Sequence, residues 1–150
     1  MAFVFRLNQL LQIALHEENE VKDRLARKDG QIAELNEKIK KYKEDQVNTL
    51  MEQEREINSG NIANMQMYRA YIAVLKKSEI FYEDELNLQL KQREKILNEL
   101  QEKQRNRKTF EKLRDADEAK YKKEMIKKQQ KLLDEFSSRK KTSFMEPDNA

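Results

Sequence analysis

The chain has no cysteine and no tryptophan, and only one proline, two glycines and one histidine among 150 residues. Without cysteine there is neither a disulfide framework nor a thiolate metal site, which fits a reducing compartment. His16 is the lone imidazole, and no glycine-rich loop accompanies it. General acid–base work, a nucleophile–base pair and a phosphate cradle all need constellations that these residues do not supply. His16 reads as an ordinary surface residue. The chain is therefore expected to be no enzyme, with no catalytic, cofactor-binding or metal-binding residues. No apolar run reaches the length that a membrane-spanning helix needs. The opening Met1-Ala2-Phe3-Val4-Phe5-Arg6-Leu7 is superficially like a signal peptide, yet no basic region precedes it and Asn8 and Gln9 interrupt it. It reads as the start of a mature cytosolic protein.

Scarce glycine and proline also mean scarce turns, and a compact globule needs turns. What fills the chain instead is charge, at 39%, against 37% hydrophobic residues. Glu, Lys, Leu, Gln and Arg in abundance point to long helices in a coiled coil or to disorder, and periodicity decides between them. From Leu7 a 4-3 alternation runs through Leu11, Ala14, Glu18, Val21, Leu25, Lys28, Ile32, Leu35, Ile39 and Tyr42. Nine of these eleven positions are apolar or aromatic, where a random draw would give about four. A mean spacing of about 3.5 residues is a coiled-coil seam. Gly30 lies inside the run without breaking its register and reads as a soft spot rather than a turn. After Tyr42 the apolar positions shift to Val47, Leu50, Met51 and Ile57, the mark of a stutter and local unwinding.

A second alternation runs through Met65, Tyr68, Ile72, Leu75, Glu79, Tyr82, Leu86, Gln89, Arg93, Ile96 and Leu100. Between the two lies Ile57-Asn58-Ser59-Gly60-Asn61-Ile62, the one convincing turn, with glycine suited to a left-handed helix C-cap and Asn or Ser to the next helix start. Pairing residue i with residue 121−i across it brings Leu11 to Phe110, Val21 to Leu100, Leu25 to Ile96, Leu35 to Leu86 and Ile39 to Tyr82. Glu18 lands opposite Lys103. Lys28 against Arg93 is the poor pair, and their stems are expected to snorkel outward. The predicted fold class is all-α: two long helices forming one antiparallel coiled-coil hairpin, the second helix longer than the first. The hairpin is placed over residues 1–142 with its turn at about 58–61, and residues 143–150, with Pro147, form a flexible tail.

The second helix is expected to run to about residue 138, roughly 115 Å against roughly 80 Å for the first. Residues from about Tyr121 to Phe136 then have no partner in the chain, yet Tyr121, Met125, Leu132 and Phe136 lie on one side, spaced by 4, 7 and 4. An unpaired apolar stripe marks a partner site or a self-association site. Residues 91–142 carry 18 Lys/Arg against 10 Asp/Glu, a net +8, while the remainder carries 13 against 18, a net −5, together the overall +3. The basic end fits an acidic partner surface or a solvated helix face. It lacks the aromatic interleaving and the module of a nucleic-acid binder, so no nucleic acid is expected.

Phe3-x-Phe5-Arg6-Leu7-x-x-Leu10-Leu11 at the start resembles the opening of FliJ, the flagellar type III export family. Tyr68-x-x-Tyr71-Ile72-x-x-Leu75 after the turn is similar too, as are Phe110-Glu111-Lys112-Leu113, the Lys/Glu run with Tyr121, and Lys131-Leu132-Leu133-Asp134-Glu135-Phe136. The resemblance covers about residues 3–140. It implies a non-enzymatic, stalk-like component at the cytoplasmic face of the inner membrane, at the flagellar base. Such a component binds and activates the hexameric export ATPase FliI, contacts the export gate protein FlhA and cooperates with substrate chaperones. It reaches the membrane only through partners and is a monomer when isolated. The ATPase contact is expected at Phe3, Phe5, Leu7, Phe110, Leu113, Tyr121, Met125, Leu132 and Phe136. By register the gate contact falls on Tyr42, Tyr71, Leu75 and Tyr82, although Asp45 and Thr49 stand where relatives carry further aromatics. Tyr42, Leu75 and Tyr82 also fit the seam as core, whereas Tyr71 lies off it. The alternative is a generic structural coiled-coil adaptor that self-associates through residues 121–136.

Overall fold

The computed structural model describes residues 2–145, with side chains through residue 140. The fold is all-α: helix α1 (Asn8–Asn58) and the longer α2 (Met65–Met145) form one antiparallel coiled-coil hairpin. By contacts the chain divides into two units, residues Glu17–Glu102 and residues Met1–His16 with Lys103–Ala150.

The unit of residues 17–102 contains the turn. Gly60 has φ of 81°, the left-handed region. The amide of Gly60 donates to the carbonyl of Ile57 at 3.1 Å, and that of Asn61 to the carbonyl of Glu56 at 2.9 Å. These two bonds make a Schellman cap with glycine at its left-handed position, which satisfies carbonyls that the end of α1 leaves open. Ser59 Oγ donates to the same Glu56 carbonyl at 2.9 Å. The connection then runs on to Asn64, whose carbonyl accepts the amide of Tyr68 at 3.1 Å.

Every predicted seam position of α1 and α2, from Leu7 to Tyr42 and from Met65 to Leu100, is buried or half-buried. The register differs from the expected pairing of residue i with 121−i. Within this unit Arg24 meets Glu99, Asp29 meets Arg93, Tyr42 meets Tyr82 and Gln46 meets Glu79, so the offset grows toward the turn to about one seam step and Tyr82 stacks on Tyr42 where Ile39 was expected. Lys28 and Arg93 do not oppose each other with outward stems. Lys28 Nζ donates at 2.7 Å to Oε1 of both Gln89 and Gln92, and Arg93 Nε donates to Asp29 Oδ1 at 2.6 Å. Each cation thus has polar partners of its own. Helix α1 passes through Gly30 without interruption.

Beyond Tyr42 the expected shift of the seam does not occur. Gln46, Thr49, Gln53 and Glu56 continue the 3-4 spacing inward, while Val47, Leu50, Met51 and Ile57 face outward. The seam keeps its register and turns polar. Thr49 Oγ1 donates to the Asp45 carbonyl at 2.7 Å, Gln46 Nε2 to Glu79 Oε2 at 2.6 Å, and Gln53 Nε2 contacts Met65 Sδ at 3.5 Å.

In the other unit, residues 2–7 precede α1 and enter it through a turn in which the Asn8 amide donates to the Phe5 carbonyl at 3.1 Å. Phe5 is 6% exposed, and Leu11 is 2% exposed. On α2 the half-buried row continues past Leu100 through Lys103, Arg107, Phe110, Arg114, Tyr121 and Met125. The long cationic side chains can line a half-buried seam because their stems are apolar. Helix α2 runs seven residues past the expected end at about 138, through 143–145, since no glycine or proline occurs between Phe136 and Met145. The rest of the expected tail, residues 146–150, lies outside the described residues.

Candidate partner-binding surfaces

In the unit formed by the chain start and residues from 103 onward, Phe3 lies against Tyr121 with ring centroids 5.5 Å apart and planes tilted by 46°. An aromatic pair at that distance is in its favourable range. With Phe5 buried and Leu7 and Phe110 half-buried, these aromatics and aliphatics are largely used within the chain. Leu113 is exposed. Further along α2, Ile126, Leu132, Leu133 and Phe136 are exposed, Leu132 by 66%. Ile126 and Leu133, seven residues apart, widen the stripe that Met125, Leu132 and Phe136 form. Spacing of seven was visible in the sequence, but the pair lies one residue off the row the seam suggested.

Cations crowd this stripe: Lys122, Lys123, Lys127, Lys128, Lys131, Arg139 and Lys140 stand against Glu124, Asp134 and Glu135. The Lys140 ammonium sits 5.2 Å from the centroid of the Phe136 ring. A cation over an aromatic face is attracted by the ring quadrupole. The surface is thus apolar and basic together, suited to an apolar patch rimmed by acidic groups.

In the unit of residues 17–102, Tyr42 and Tyr82 stack across the helices at 5.5 Å with planes 16° apart. Lys38 Nζ lies 5.3 Å from the Tyr82 ring centroid, and Phe81 meets Tyr82 edge-on at 5.3 Å. Lys43 Nζ reaches Glu79 at 3.8 Å and Glu83 at 3.7 Å. Near the turn the Tyr68 hydroxyl donates to the Glu56 carboxylate. This bond, with burial and the charges of Glu56 and Glu52, raises the Tyr68 pKa above its ordinary 10.0.

Among the described residues no cluster of His, Asp and Glu has the arrangement to hold a metal ion, and no helix is long and apolar enough to cross a membrane. A family model described as "Flagellar FliJ protein" matches residues 3–142. The chain belongs to the FliJ family. Neither the comparison with curated proteins nor that with solved structures returned a match.

FliJ proteins are structural components of flagellar export. The residues expected at the FliJ gate contact are not gathered on one surface. Leu75 is 4% exposed in the seam, and Tyr42 and Tyr82 are half-buried in their stack, so these three hold the helices together. Tyr71 alone points outward, 49% exposed. Along the same helix Met67, Val74, Phe81 and Leu88, which lie off the seam, are exposed too. A search for a second period on the same helix finds them. The expected ATPase residues divide likewise, with Leu113, Leu132 and Phe136 on the surface and Phe5 inside.

Proposed function

We propose that this FliJ-family chain binds the flagellar export ATPase FliI through the apolar, basic face of α2 between Leu113 and Phe136 and activates its ring. The gate protein FlhA is addressed from the other unit, at Tyr71, and substrate chaperones are further partners. The observation that carries the ATPase contact is the exposed row of Ile126, Leu132, Leu133 and Phe136 among seven cations, which has no role in packing α1 against α2. Burial of such a row stabilises a complex by about 25 cal/mol for each Å² of apolar surface removed from water. Phe3 and Tyr121, which lie against each other in the same unit, adjoin this contact in the chain.

The test is ATP turnover by the cognate export ATPase with and without this chain, compared with Leu132→Asp. Stimulation by the parent chain that disappears with the substitution is the expected result. Stimulation that survives moves the contact toward Leu113 and the chain start. A stable dimer in sedimentation at two concentrations, broken by Leu132→Asp, overturns the reading in favour of a self-associating adaptor.

A further inference from the structure

Past Tyr42, within the unit of residues 17–102, α1 carries two rows in the same 3-4 rhythm, one residue apart. Gln46, Thr49, Gln53 and Glu56 face inward. Val47, Leu50, Glu54 and Ile57 follow each of them by one position, and all four are exposed, Val47 by 56%. One residue of an α-helix is a turn of about 100°, so either row can continue the seam that Ile39 and Tyr42 begin. The observed register buries the polar row. Upstream there is no such choice, because one position on from Ile32, Leu35 and Ile39 stand Ala33, Asn36 and Lys40.

We infer that residues 43–58 of α1 form a two-register element. In its second register Val47, Leu50 and Ile57 pack on α2, while Gln46, Thr49 and Gln53 turn to water. A single π-bulge supplies this change of phase by taking up one extra residue, and such bulges recur inside α-helices at functional sites. Placed after Lys43, the bulge leaves the stack of Tyr42 on Tyr82 in place. Glu79 accepts from Gln46 Nε2 at 2.6 Å and has Lys43 Nζ at 3.8 Å, so it keeps the cation when the amide leaves. The end of α1 draws back by about 1.5 Å, which the six non-helical residues 59–64 take up.

The shift gives up the polar contacts of Gln46 and Gln53 and gains the burial of three aliphatic side chains. Packed helices with two such arrangements pass between them as discrete states rather than by degrees. Val47, Leu50 and Ile57 are surface in one register and core in the other. Whatever covers them therefore holds the observed register, since a ligand favours the state it binds better. The inference rests on α1 and α2 within one unit and on neither partner contact proposed above.

The experiment reads the register from thiol reactivity in the full chain, which has no cysteine of its own. Thr49→Cys and Leu50→Cys are made separately, and each maleimide labelling rate is normalised to its rate in urea. Thr49 is 7% exposed and Leu50 51%, so the thiol at 50 should react at least tenfold faster than the thiol at 49. Gln46→Glu and Glu54→Leu are then added together. The first sets a carboxylate on Glu79, and the second completes the aliphatic row. The rate at 50 relative to that at 49 is expected to fall at least tenfold, with helix content by circular dichroism unchanged. Adding Ile57→Lys, which the second register has to bury and the observed one leaves in water, should restore the original ratio. Misfolding does not mimic that reversal. A ratio that the paired substitutions leave unchanged overturns the inference, because it means a single register. Fast labelling at both positions overturns it too, because it means local unfolding rather than rotation.

Discussion

The two glycines make opposite demands on a side chain, and replacing each by alanine should shift stability in opposite directions. Gly30 lies in the interior of α1, exposed, without a positive φ, and a Cβ added there meets nothing within 4 Å. Alanine loses less backbone freedom in a helix than glycine does, so Gly30→Ala should stabilise the chain by about 0.8–1.0 kcal/mol. Gly60 also has open space around an added Cβ, but its φ of 81° is the left-handed conformation. An L-residue there costs about 1–2 kcal/mol, and the cost is purely one of backbone. For a chain of this size about 1 kcal/mol moves the melting temperature by about 2–4 °C. Gly30→Ala should therefore raise the Tm by about 2–4 °C and Gly60→Ala lower it by about 2–8 °C, read by circular dichroism. Gly60→Asn should lose less than Gly60→Ala, since asparagine tolerates the left-handed region. A destabilising Gly30→Ala refutes an unbroken α1, and a neutral Gly60→Ala refutes the cap at the turn.

Leu11→Ala, at a position 2% exposed, should cost about 2–5 kcal/mol in urea unfolding, while Leu132→Asp should stay within about 0.5 kcal/mol. Equal costs would contradict the division between packing and partner surfaces. Glu56 raises the folded-state pKa of Tyr68, so that contribution to stability is complete below about pH 10 and is lost as pH climbs through the raised value. In an alkaline titration of phenolate absorbance, Glu56→Gln should move the ionisation of Tyr68 to lower pH.

The hairpin was legible in the sequence because its two determinants are local. A 3-4 alternation states which edge of each helix is inward, and Gly60 between two such runs states where the chain reverses. The pairing followed only approximately from matching the two patterns: Asp29 meets Arg93 close to the expected place, while Tyr42 and Gln46 meet Tyr82 and Glu79 about one seam step away from it. The site was less legible, for a physical reason. Periodicity reports that an edge is apolar but not what covers it. Tyr42, Leu75 and Tyr82 are large residues near the turn, and the same pattern serves core and docking surface alike. Charged residues extend the half-buried row of α2 through Lys103, Arg107 and Arg114, with Arg107 Nη1 donating to Glu111 at 2.9 Å and 3.0 Å, which no hydropathy value records.

The stretch after Tyr42 carries the clearest evidence that this half of the hairpin is shaped for something besides its own stability. Val47, Leu50 and Ile57 each follow an inward polar residue, Gln46, Thr49 and Glu56, by one position. A turn of α1 by about 100° would exchange the two rows and bury the aliphatic one. Full burial of a Val, Leu or Ile side chain contributes about 1.5–3 kcal/mol, whereas a typical hydrogen bond such as Gln46 to Glu79 contributes about 0.5–1.5 kcal/mol net. The polar seam is the weaker of the two arrangements for an isolated hairpin. The same residues also leave apolar side chains outward on α1, while α2 in this unit presents Met67, Tyr71, Val74, Phe81 and Leu88. Segments that bind are drawn from the less stable parts of a fold, because ordering and burial are completed by the partner. Selection for intrachain packing alone gives no reason to keep glutamine, threonine and glutamate inside and valine, leucine and isoleucine out. A FliJ-family chain whose work is done by contact with other export components does supply one.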